Sequence, residues 1–171
     1  MTHFFERYIL RCLFLLVALA AIFMVYLPID SAFAVEIDKA ARTLPLNASG
    51  ETVTLTEKQL TNGLKKFNKN CAQCHLDGIT KTNPDIDLGP QVLALATPPR
   101  NNLEALVGYL NNPMTYDGMA SLEELHPSKA RADLFPKMKN LTDADLVDIS
   151  GYILVQPNII GPKWASGKPG R

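Results

Sequence analysis

Two cysteines and a histidine in the spacing C-x-x-C-H occupy positions 71 to 75, inside the stretch FNKNCAQCHLDG. No other feature constrains the fold of this chain as strongly. The thiols of Cys71 and Cys74 can add to the two vinyl groups of a haem and pin its edge. His75, the next residue, is then placed to reach the iron from one face. A covalent tether also suits an exported protein, from which a loose haem would be lost to dilution. The rival readings are a redox dithiol and a zinc half-site. A thioredoxin-like dithiol sits beside a strand-helix-strand pattern, which this chain lacks. A four-cysteine zinc site needs more than the three cysteines present.

The N-terminus explains the word exported. Arg7 and Arg11 precede an apolar run from Cys12 to Leu27, then Pro28, then the small-x-small site Ala32-Phe33-Ala34. The run falls short of the roughly 20 residues needed to span a bilayer. A basic flank, an apolar stretch and a small-residue site read as a signal peptide over residues 1–34, cut after Ala34, with an uncleaved anchor as the alternative. Residues 35–171 then suffice for a single domain and are too few for two. Cys12 leaves with the leader, so a disulfide scaffold is not expected. The 17 basic and 17 acidic residues balance, which argues against a nucleic-acid binder but leaves room for a patchy surface that docks on a protein.

Periodicity around the motif is helical. Thr56 and Gln59 form a capping-box pattern, and Leu60, Leu64, Phe67 and Cys71 follow on one stripe, which carries the first thiol onto the core face. Lys58, Lys65, Lys66 and Lys69 lie off the stripe as a solvated face, or as a docking patch. A second helix is expected after Thr142, with Asp143 and Asp145 at its positive end, Leu146, Ile149 and Ile153 on one face, and Pro157 as its stop. Gly63 near Tyr152 would let these two helices cross closely. A third helix is expected over Leu103 to Leu110, between Asn102 and Pro113. Upstream, TLPLNASGETVTLT alternates around Ser49-Gly50 and reads as a small hairpin. Asn47-Ala48-Ser49 also matches a glycosylation sequon, a short match that mostly arises by chance.

One haem iron has six partners, and the motif accounts for five. Of the three histidines, His3 lies in the leader and His75 is used, so His126 in ELHPS is the remaining imidazole. Ser121 and Glu124 offer a capping-box start to a short helical turn that Pro127 would stop. The competitor is Met138 in FPKMKNLT, ahead of the last helix; Met114 and Met119 are weaker candidates. Met138 could instead pack in the core through its polarizable sulfur, and His126 could be an exposed loop residue. The choice matters, because a methionine ligand raises the reduction potential relative to a second nitrogen ligand. Two histidines would give a low-potential iron with no open position.

Several longer strings carry a family signature: CAQCHLDGITKTNP (71–84), LALATPPR (93–100), NNPMTYDG (111–118), HPS (126–128), FPKMKNLTDADL (135–146) and GPKW (161–164). Through them the chain resembles the cytochrome c-550 family, the extrinsic haem subunits of photosystem II. The resemblance implies a mainly α, class I cytochrome c-like domain around one covalent haem c, with the small hairpin at its N-terminus. It implies that Cys71 and Cys74 hold the haem, that His75 and His126 are its axial ligands, and that Met138 is a packing residue. It further implies a thylakoid-lumen protein, peripheral on the membrane, bound to the photosystem II core and other extrinsic subunits. There, family members stabilise the manganese cluster and help to retain its calcium and chloride. The chain departs from the pattern at its end, KWASGKPGR, where the family usually has aromatic residues after a glycine-rich segment. The family also has a diverged paralogue with a different distal ligand, and the HPS setting of His126 favours the main subunit. The alternative function is a soluble lumenal or periplasmic electron carrier with a His/Met haem. A haem enzyme such as a peroxidase needs an open iron and a distal acid or base, for which no histidine is spare, so the chain is expected not to be an enzyme.

Overall fold

The computed structural model describes residues 7, 11, 13–19 and 37–166. The chain divides into two units, Met1–Glu36 and Ile37–Arg171. The expected cleavage point after Ala34 and the last five residues of the tail lie outside the described residues. Among those described, no helix is long and apolar enough to cross a membrane.

The second unit starts with a hairpin, β1 (Thr43–Pro45) antiparallel to β2 (Thr52–Thr54), in the register Thr43 to Thr54 and Leu44 to Val53. Leu44 in β1 and Leu55, just after β2, are buried and pack with Leu60, Leu103 and Val155. The hairpin thus adds a minor core to a domain that is otherwise helical.

The capping box at Thr56 forms as expected. Gln59 N–H donates to the Thr56 hydroxyl, and the Gln59 side-chain oxygen accepts from Thr56 N–H, starting α1 (Glu57–Asn70). Its buried face is Leu60, Gly63 and Phe67, whereas Leu64 is 40% exposed. Spacing alone placed Leu64 on the stripe. The close crossing at Gly63 instead centres the buried face on that residue, and Leu64 lies a hundred degrees further round. A Cβ at Gly63 would sit 2.1 Å from the carbonyl oxygen of Asp148 and 2.8 Å from the Cβ of Tyr152. Only glycine permits that approach. Short helices follow: α2 (Ala72–His75), α3 (Pro90–Leu95), α4 (Leu103–Asn111, capped by the Asn102 side chain on Ala105 N–H) and α5 (Pro136–Lys139).

The last helix, α6 (Asp143–Ile160), begins with a second capping box between Thr142 and Asp145. It does not stop at Pro157 but runs through it. The missing N–H of Pro157 removes only the bond to the Ile153 carbonyl, and Gly161 N–H returns to the Pro157 carbonyl to finish the last turn. α1 and α6 make the most extensive contact of the domain. Beside the apolar seam, Asn62 donates to Asp145 and Asp148 at 3.1 and 2.7 Å, and Lys66 pairs with Asp145 at 3.1 Å. Lys66 is therefore half-buried and engaged, while Lys58, Lys65 and Lys69 are exposed as a solvated face.

The main core gathers Phe67, Leu93, Leu106, Leu110, Met138, Leu141, Leu146, Ile149, Ile153 and Trp164. Full burial of one such side chain stabilises by about 1.5–3 kcal/mol. Trp164 closes it from the C-terminal end: its ring lies 5.9 Å from Phe67 and 6.1 Å from Tyr152, and its Nε1–H donates to Leu88 O at 3.0 Å. The tryptophan face leaves no room at Gly78, where a Cβ would meet Cε2 at 2.6 Å and where φ is +84°.

Candidate haem-binding site

Cys71 is the C-cap of α1, and the chain turns directly into α2, with Cys74 N–H and His75 N–H both donating to Cys71 O at 3.0 and 2.9 Å. One helical turn therefore sets the two thiols and the imidazole in fixed relation. Cys71 is half-buried and Cys74 exposed. Burial first, then the neighbouring Cys74, pushes the Cys71 thiol up to about 12, so the free thiol stays protonated.

The second imidazole comes from distant sequence. After α4 the chain makes a bridge between Met114 and Ser121 and a turn in which His126 N–H donates to Leu122 O at 2.8 Å. The short helical turn expected after Ser121 forms, though its start is not the expected Ser121–Glu124 capping box. Ser121 is occupied in the bridge, its hydroxyl accepts from Glu123 N–H, and Pro127 prevents continuation. The turn brings His126 opposite His75, with ring centres 6.1 Å apart and the planes tilted by 50°. A first-row metal holds an imidazole nitrogen at about 2 Å, and the ring centre lies about 1 Å beyond it. Two imidazoles sharing one ion thus stand about 6 Å apart.

Each ring is also oriented through its other nitrogen. His126 Nδ1 lies 3.0 Å from Pro127 O. A carbonyl only accepts, so Nδ1 carries the hydrogen and Nε2 keeps the lone pair, the tautomer that a metal needs. His75 Nδ1 contacts the Thr80 hydroxyl at 3.1 Å, which leaves its Nε2 available as well. Burial holds His75 below the ordinary imidazole range, partly offset by the Ile79 backbone. His126 is pushed down to about 4, by burial first and then by His75. Both rings are therefore neutral near pH 7. The residues present fit a haem: two thiols on one turn, and two neutral imidazoles facing each other at a metal-sharing distance.

Met138 is a member of the main core. It is 3% exposed and packed among the core residues around Phe67 and Trp164. Met119 is 83% exposed and Met114 half-buried in the bridge region. Three contributors escaped the reading of spacing. Thr80, five residues after His75, contacts that histidine's Nδ1 through its hydroxyl. Tyr109 on α4 meets the His126 ring edge-on at 5.1 Å. Arg100 stacks its guanidinium 4.2 Å above the Tyr109 ring. Nothing in a single sequence ties Arg100 to a tyrosine on the next helix.

Comparison with known proteins places this arrangement. The cytochrome c-550 domain family model matches residues 35–170. Photosystem II extrinsic protein V of Nostoc punctiforme is 58% identical over 140 residues, covering 82% of this chain and 86% of that protein. The protein of the same name from Thermosynechococcus vestitus is 52% identical over 158 residues, covering 92% and 96%. The crystal structure of cytochrome c549 superposes with a TM-score of 0.73 at 51% identity, covering 75% of this chain and 99% of that one. The PsbV2 cytochrome of Thermosynechococcus elongatus follows at 0.61 and 33%, covering 72% and 87%. The chain belongs to the cytochrome c-550 family, has the cytochrome c fold, and carries a covalently bound c-type haem.

Proposed function

We propose that the chain, freed of residues 1–34, is a bis-histidine cytochrome that docks as an extrinsic subunit on the lumenal side of photosystem II. The 6.1 Å separation of the His75 and His126 rings, each with Nδ1 engaged, is the observation that carries the reading. Cys71 and Cys74 would hold the haem edge, and His75 and His126 would ligate its iron. Bound there, the haem supplies a one-electron couple. Two nitrogen ligands set that couple lower than a His/Met pair would. With both histidines on the iron, no position would remain for a small molecule, so the chain would transfer electrons or hold structure rather than catalyse a reaction. The relatives named photosystem II extrinsic protein V support the docking assignment. In that position the subunit stabilises the manganese cluster and the retention of its calcium and chloride, alongside other extrinsic subunits.

The test has two arms. Near-infrared and electron-paramagnetic-resonance spectra of the matured protein should show two nitrogen ligands, and His126→Met should raise the midpoint potential. A sulfur-to-iron charge-transfer band in the wild type, or an unchanged potential in the variant, would remove His126 from the iron and favour a His/Met carrier. For docking, the protein should rebind to photosystem II membranes stripped by concentrated divalent salt, as peripheral electrostatic attachment requires. Failure to rebind would refute the subunit role.

A further inference from the structure

Arg100 is 7% exposed, and among the described residues no carboxylate pairs with it. Burying a charge without a partner of opposite sign is costly, so its neighbours need an account. Its Nη2 donates to two carbonyls of the distal segment, Met114 O at 3.1 Å and Thr115 O at 2.6 Å. Its own backbone N–H donates to Leu93 O at 2.8 Å. The guanidinium sits over the Tyr109 ring, and the same ring meets His126. Arg100 therefore links α3, α4 and the segment leading to the distal ligand, and it brings a permanent positive charge to that side of the site. The two contacts, 4.2 and 5.1 Å, hold the guanidinium carbon within about 9 Å of the His126 ring centre.

We propose that Arg100 is a positioning and tuning residue for the distal side, whose fixed charge, relayed across the Tyr109 ring, raises the potential of the iron held by His126. The inference rests on His126 being the distal ligand. A cation close to a one-electron centre favours the reduced form, which carries one positive charge fewer. At about 10 Å and an effective dielectric of about 20, one unit charge shifts such an equilibrium about tenfold. A neutral side chain that only filled space would shift nothing comparable. The arginine thus opposes part of the lowering that two nitrogen ligands impose.

The experiment is a redox titration of the matured, haem-loaded protein as wild type, Arg100→Gln, Arg100→Met and Arg100→Lys. The methionine variant keeps the bulk of the stem without a buried polar group and provides a second chargeless protein should the glutamine form fold poorly. At the wild-type midpoint, both chargeless variants should show a reduced-to-oxidised ratio about tenfold lower, equivalent to about 59 mV for a one-electron couple. Arg100→Lys should lie closer to wild type than to Arg100→Gln. A change under threefold in the chargeless variants overturns the proposal, as does a lysine variant that falls with the glutamine one, since geometry rather than charge would then be at work. The wild-type spectrum reports the ligand pair independently: loss of the two-nitrogen signature there refutes the His126 assignment, whatever the variants do.

Discussion

Gly63→Ala adds one methyl group at the crossing of α1 and α6. The new Cβ would meet Asp148 O at 2.1 Å, Asp148 C at 2.8 Å and Tyr152 Cβ at 2.8 Å. Two of the three are backbone atoms, so no rotamer change relieves the clash. The helices must separate by about 1 Å to recover normal contact, and a gap of that size forfeits a quarter to a half of each dispersion well it opens. Phe67, Ile149 and Ile153 share the core along this seam, and the Asn62 and Lys66 bonds to α6 would stretch with it. Overpacking of this kind costs about 1–3 kcal/mol, and here the upper end applies because the obstacle is main chain. Replacing glycine by alanine inside a helix returns about 1 kcal/mol at most. The expected net loss is about 2 kcal/mol, which lowers the urea midpoint by about 1 M at a typical slope of about 2 kcal/mol per molar. Because Cys71 caps the same helix, haem attachment should also fall. A midpoint at or above that of wild type would refute the close crossing, since helix propensity would then have prevailed unopposed.

Asp145 links stability to pH. Burial alone would raise its pKa, but the N–H of Thr142, the Asn62 amide and the Lys66 ammonium outweigh burial and hold the carboxyl well below the usual carboxylate range. A depressed folded-state pKa gives stability that is fully present above the unfolded value of about 3.9 and is lost as pH falls below it. Asp145→Asn should therefore lower stability at neutral pH and flatten the acid limb below about pH 4; an equally steep limb in acid denaturation would show that Asp145 contributes nothing to it. Trp164→Leu removes the ring contacts with Phe67 and Tyr152 and the bond to Leu88 O. It should cost about 3 kcal/mol and lower the melting temperature by roughly 10 °C, and an unchanged melt would mean that the C-terminal segment does not hold the core closed.

The proximal half of the site was legible because it is local. Cys71, Cys74 and His75 lie within one turn, and the capping box at Thr56 and the stripe through Phe67 point that turn at the core. The Thr142 cap and the Asn102 cap were equally readable, since a side chain three residues from its N–H partner leaves a spacing. Leu64 and Pro157 misled for the same reason: their periodicity and breaker rules describe an isolated helix, whereas here a backbone crossing at Gly63 and a closing turn at Gly161 decide the outcome. The distal half depends on contacts between segments. Elimination among three histidines left His126 as the remaining imidazole, with Met138 still open, but its facing of His75 needs the bridge from Met114 to Ser121, the Tyr109 edge and the Arg100 stack. None of these follows a fixed spacing.

Packing also bears on the proposed choice of histidine over methionine as the second ligand. Met138 sits on a four-residue helix whose start is fixed by Phe135 and Pro136 and whose end leads directly to the cap of α6. Its side chain, 3% exposed, fills space in the same cluster as Phe67, Leu141 and Trp164. To reach a metal between the histidines it would have to leave that space, and emptying a buried methionine site costs about 2–5 kcal/mol. His126 faces no such cost: it is only half-buried, its turn is already closed by Leu122 and Pro127, and its Nδ1 is already committed to a carbonyl. An imidazole is also the stronger donor toward ferric iron, so displacement by sulfur would have to overcome both terms at once. If His75 and His126 hold the iron as proposed, the core's need for volume at Met138 favours that pair as much as ligand chemistry does. Enlarging the space beside Met138 would therefore not by itself recruit its sulfur to the iron.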